Sequence, residues 1–141
     1  IGLFGFASAQ AGQFFYAVGD RYTQRYDFST NTWEMGPTFT SQRAFSGMVA
    51  TVTHLYVMGG DVDDGSDIFH STTLIEVLDL SAWPDGAWVD TGIPLPAANL
   101  LPASTCTETL VGGEIWNVGG GFTAYETYTE VYYLPVGEGC P

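Results

Sequence analysis

The chain has 141 residues, with 16 acidic side chains, three arginines (Arg21, Arg25 and Arg43) and no lysine, for a formal net charge of −13. A surface this acidic repels phosphate backbones and anionic membranes, which excludes nucleic acid as a partner and leaves calcium, basic protein surfaces and neutral glycans open. No apolar run reaches the ~18 residues of a membrane helix, so no membrane insertion is expected. Abundant aromatics, 18 glycines and few charges suit short strands joined by tight turns.

Three stretches share one pattern: apolar, aromatic, any residue, apolar, then a glycine-led turn. They are Phe15-Tyr16-Ala17-Val18-Gly19-Asp20, Leu55-Tyr56-Val57-Met58-Gly59-Gly60 and Ile115-Trp116-Asn117-Val118-Gly119-Gly120. Each is followed by a matching strand, at 24–28, 76–80 and 130–134, and the first two copies then carry Trp33 and Trp88. A period of roughly 40–60 residues with an aromatic before paired glycines marks propeller blades. The order of elements, complete twice and partial once, resembles the Kelch-repeat family over nearly the whole chain. The resemblance implies an all-β fold of Kelch-like β-propeller blades, each a four-stranded antiparallel sheet. There are departures: Gly19-Asp20 replaces a glycine pair, and the family's arginine and histidine-glycine are matched only by Arg43 with Ser46-Gly47.

Taken in chain order, blade one (1–37) is expected to contain strands at 3–9, 13–18, 22–27 and 32–35, with turns at Ala11-Gly12 and Ser29-Thr30-Asn31. Ala9-Gln10-Ala11 after an apolar start resembles a signal-peptide end, but no basic segment precedes it and the repeat places a strand there. Because the chain begins at Ile1, the natural protein is expected to extend beyond that residue or to be processed there. Blade two (38–96) predicts strands at 44–51, 55–58, 72–79 and 87–90, with insertions at 61–71 and 81–86. Pro37 and Pro94-Leu95-Pro96 mark crossings between blades, since proline is excluded from paired interior strands. Blade three (97–141) predicts strands at 103–110, 114–118 and 125–134, a hairpin turn at Gly112-Gly113, and no fourth strand. Closed propellers have four to eight blades. About three blades therefore form one propeller segment or half of an assembled propeller, with open edges that template another chain.

Several residues are candidates for chemistry or contact. Asp61, Asp63, Asp64 and Asp67 surround Gly65 and offer the oxygen ligands calcium prefers, although the spacing departs from an EF-hand and a solvated acidic loop is the plainer reading. Cys106 and Cys140 are an even pair and predict a disulfide that closes a loop. Tyr16, Tyr56 and Trp116 hold equivalent positions, so they predict packing between blades, as do Trp33 and Trp88. Trp83 lies in an insertion with no counterpart and is a candidate exposed contact. Tyr125, Tyr128, Glu130, Val131, Tyr132 and Tyr133 form the candidate docking edge. His54 and His70 occupy a turn and an inserted loop, and no catalytic set is legible.

These features predict a non-enzymatic, secreted structural or adhesive module that associates with copies of itself as a ring or filament. The alternative is a fragment of a secreted Kelch-type carbohydrate-active enzyme or glycan-binding protein.

Overall fold

The computed structural model describes residues 2–39, 41–63, 69–121 and 131–141. The strands are β1 (Ala7–Ala11), β2 (Phe14–Gly19), β3 (Tyr22–Asp27), β4 (Thr32–Met35), β5 (Gln42–Ala44), β6 (Gly47–Ala50) and β7 (His54–Met58). There follow β8 (Asp61–Asp63), β9 (Phe69–Ser71), β10 (Ile75–Asp79), β11 (Val89–Asp90), β12 (Ala103–Thr109), β13 (Gly112–Val118) and β14 (Val131–Pro135). A short 3-10 turn at Leu80–Ala82 is capped by Asp79, whose side chain accepts from the Ser81 amide.

Three antiparallel sheets follow one another along the chain. Sheet one is β1-β2-β3-β4, sheet two is β6-β7-β10-β11, and sheet three is β12-β13-β14. Strands β3 and β4 coincide with the sequence expectation because glycine, asparagine and serine turns bracket them sharply. The first strands of successive sheets lie beside each other, β1 against β6 and β6 against β12. The chain is thus all-β, in stacked antiparallel sheets.

Three boundaries are corrected. Sheet one begins at Ala7 rather than residue 3, because Gly5 takes φ +55°, outside the strand region, and its carbonyl accepts from the Phe45 amide at 2.7 Å. Within blade two, both ends of the 61–71 insertion, expected as loop, are strands β8 and β9, which join β5 in a small sheet of order β5-β8-β9. The third hairpin turns at Leu110-Val111, not at Gly112-Gly113, which are the first residues of β13. Those glycines serve a close approach instead: a Cβ on Gly113 would stand 2.5 Å from the Glu138 carbonyl oxygen, where the C-terminal tail crosses the strand.

Two apolar cores lie between the sheets. Between sheets one and two are Tyr16, Val18, Phe39, Leu55, Val57, Leu78 and Trp88, all buried. Between sheets two and three are Tyr56, Met58, Ile75, Leu95 and Ile115, with Leu134 packed against them. Strand alternation explains the division, since Leu55 and Val57 face sheet one while Tyr56 and Met58 face sheet three. The glycine-led turns sit at equivalent points. Gly60 and Gly120 have φ near +90°, and Asp20 takes φ +52° in the first copy, a conformation aspartate tolerates better than most residues.

Candidate interaction site

Strand β14 ends the third sheet, and no strand among the described residues pairs with its outer side. Its register on β13 matches Val118 with Val131, Trp116 with Tyr133 and Ile115 with Leu134. The Val136 amide continues this ladder by donating to the Gly113 carbonyl at 3.1 Å. Alternation therefore points the Tyr132 and Leu134 backbone groups inward and those of Val131 and Tyr133 at the free edge. Pro135 has no N–H to offer there, so the edge is blunted at one end only. Val131 and Tyr133 are 48% and 62% exposed. Tyr125, Tyr128 and Glu130, expected on the same edge, lie outside the described residues.

Beside this edge, between sheets two and three, is a cavity of about 350 Å³ lined by Met58, Ile75, Leu95, Ile115, Asn117 and Leu134, among others. Asn117 is 2% exposed. Its Oδ1 lies 3.4 Å from the Ser104 hydroxyl, which donates to it, and its Nδ2 has no hydrogen-bond partner. A buried amide donor without a partner costs roughly 1–3 kcal/mol. The sign of this in the sequence is that Asn117 stands between the apolar Trp116 and Val118.

The C-terminal tail holds sheets two and three together near the β6–β7 turn. Cys106 and Cys140 form a disulfide across a sequence separation of 34 residues. The Cys140 amide donates to Glu108 Oε1 at 2.7 Å, and the Val52 amide to the Gly139 carbonyl at 3.0 Å. Glu138 reaches over to β7. Its carboxylate accepts from the hydroxyls of Thr53 and Tyr56, the latter at 2.8 Å, and lies 3.0 Å from His54 Nδ1. Burial alone would raise the Glu138 carboxyl, but the hydrogen bonds from Thr53, His54 and Tyr56 outweigh it and hold the group at about 2. The Tyr56 phenol is pushed well above its ordinary value, first by burial and then by the neighbouring carboxylate. This cluster was not legible in advance, because Glu138 meets its partners across more than 80 residues of chain.

A second polar cluster underlies sheet two. Arg43 is 3% exposed, donates through Nη1 to Glu76 Oε2 at 2.6 Å and through Nη2 to the Leu74 carbonyl at 3.2 Å, and leaves Nε without a partner. Its amide also donates to the Asp20 carbonyl at 2.6 Å, tying β5 to the end of β2. Burial lowers the guanidinium and raises the Glu76 carboxyl from their ordinary values, and their mutual attraction opposes both shifts.

The remaining candidates are distributed rather than gathered. Trp83 is not a free contact. It is half-buried against sheet one, edge-on to Tyr16 with centroids 5.6 Å apart, under the Arg25 guanidinium, and so close to Gly36 that a Cβ there would overlap its ring. An insertion carrying a large ring had an apolar face within reach, and burial of that ring won over exposure. Asp61 and Asp63 lie on β8, Asp61 raised by burial, while Asp64 and Asp67 lie outside the described residues. Among the described residues, no group of three or more histidine, cysteine, aspartate or glutamate side chains is placed to hold a metal ion. Trp88 is buried as expected, donating through Nε1 to Thr23 Oγ1 at 2.9 Å and stacking on Phe39, whereas Trp33 is 53% exposed.

Scans against protein-family models and against curated proteins find no match to this chain.

Proposed function

We propose that the chain is a non-enzymatic structural or adhesive module, a Kelch-like propeller segment of three blades that associates with copies of itself through its unpartnered ends. The observation that carries this reading is the relation between its two outer sheet faces. Sheet one turns Phe15, Tyr26 and Trp33 outward in one aromatic group, with Trp33 edge-on to Phe15 and 53% exposed. By the repeat, Phe15 stands where Leu55 and Ile115 stand, and those two residues each pack on the preceding sheet. Sheet three turns Trp116, Val118, Val131 and Tyr133 outward, and Trp116 stands where Tyr16 and Tyr56 are covered by the next sheet.

The two faces are therefore opposite halves of one recurring contact. A heterologous contact of this kind closes into a ring or runs on as a filament, according to whether the rotation closes. Two copies would give a ring of six blades. The disulfide supports an oxidising, extracellular setting for the module. Light scattering and electron microscopy of the purified chain test the reading. Rings or filaments are expected, growing with concentration and with salt, because a net charge of −13 opposes contact between copies at low ionic strength. A monodisperse monomer over the whole concentration range would overturn it.

A further inference from the structure

The cavity between sheets two and three is one residue short of a copy of the core between sheets one and two. Strand pairing fixes the correspondence. Leu55 pairs with Leu78 and Ile115 pairs with Leu134, while Val57 pairs with Glu76 and Asn117 with Tyr132. Phe39 and Leu95 correspond as well, each donating its amide to a carbonyl just ahead of a third strand, Arg21 for Phe39 and Thr73 for Leu95. In the first core, Trp88, from the segment leading into the fourth strand of sheet two, lies among these residues and stacks on Phe39 with centroids 4.6 Å apart. Among the described residues the second core has no such residue, and the corresponding space is the 350 Å³ cavity lined by Leu95, Ile115, Asn117 and Leu134.

We infer that this cavity is the seat of a tryptophan side chain, brought by an extended segment that pairs with the free edge of β14. Three observations converge on that occupant. The volume is more than twice the ~150 Å³ that accepts benzene in an engineered cavity, so a bicyclic ring fits. The edge supplies the backbone: the Thr91 amide donates to the Ile75 carbonyl at 2.9 Å and the Gly36 amide to the Thr23 carbonyl at 2.9 Å, and Val131 offers the corresponding carbonyl in sheet three. The third is polar. Ile75 replaces Thr23, so the hydroxyl that receives the Trp88 indole N–H is missing, but Asn117 stands in the cavity in place of Val57 with one end of its amide unpartnered. The ends of an amide are nearly the same shape, so a half-turn gives Nδ2 to Ser104 and presents Oδ1 to an indole N–H. The recognised segment is an extended peptide with a tryptophan opposite Leu134, held by main-chain bonds and a side-chain pocket.

This deepens the reading of sheet three as open, and its test is separable from self-association. The probe is a synthetic peptide with the chain's own sequence from Gly86 to Gly92, titrated into methyl-labelled protein at a concentration where light scattering reports monomer. Saturable binding is expected, with shifts in the Ile75, Leu95, Ile115 and Leu134 methyls. The peptide carrying Trp88→Ala should bind at least about tenfold more weakly, as for a buried aromatic anchor. In Asn117→Val protein the tryptophan peptide and its Trp88→Phe analogue should bind alike, while the unmodified protein prefers tryptophan. Equal binding of the alanine peptide, absence of saturable binding, or shifts confined to sheet one would each overturn the assignment, whatever the oligomeric state at higher concentration.

Discussion

Replacing Glu138 with glutamine keeps the shape of the tail cluster and removes its charge. The carboxyl titrates at about 2 rather than the ordinary 4.5. At ~1.4 kcal/mol for each tenfold change, that gap sets a ceiling of roughly 3 kcal/mol on its contribution to stability. The side chain retains 16% exposure and sits at the rim of the fold, so solvent screening reduces the expected figure to about 1–2 kcal/mol. The sign follows from the direction of the shift. A depressed carboxyl stabilises the fold fully above its unfolded value near 4.5, and the contribution is lost as pH falls through about 2. Urea melts of the disulfide-intact protein and Glu138→Gln at several pH values are the assay. The two curves should differ by about 1–2 kcal/mol at pH 7 and converge as the pH approaches 2. A difference that persists unchanged at low pH would show that the variant acts through packing, and no difference at pH 7 would refute the staple.

Replacing both cysteines by serine should destabilise the chain by roughly 4 kcal/mol in the chain-entropy model for a loop of this length, read by the same melts. Glu76→Ala, which strands the buried Arg43 guanidinium, should cost about 3–5 kcal/mol, whereas Arg43→Met combined with Glu76→Leu should cost far less; equal losses would argue against a charge penalty. Val131→Pro removes an outward N–H from β14 without breaking an internal ladder bond, so it should weaken binding of the Gly86–Gly92 peptide while leaving the melting midpoint nearly unchanged.

Much of this architecture was legible because each repeat carries its own punctuation. The aromatic-apolar-glycine pattern located β2, β7 and β13, and asparagine and serine turns bounded β3 and β4. Where the reading failed, the competing cause was a contact distant in sequence. Gly112-Gly113 has turn composition, yet the glycines are required by the tail that passes over them. The 61–71 insertion has loop composition, but residues 42–44 offered backbone groups to pair with, and β8 satisfies them. Trp83 was misread as exposed because nothing local indicates that Tyr16 and Arg25 lie against it. The cysteine pair was legible from its count, whereas Glu138 and Asn117 were not, since each acquires its role only when two sheets come together.

The most direct test of the open third sheet is amide hydrogen exchange at Val131 and Tyr133, whose N–H groups face the free edge, measured as the Gly86–Gly92 peptide is titrated in. The account requires their protection to rise as the peptide saturates, while the inward amides of Tyr132 and Leu134 stay protected throughout. Unchanged, fast exchange at Val131 and Tyr133 at saturating peptide would contradict it.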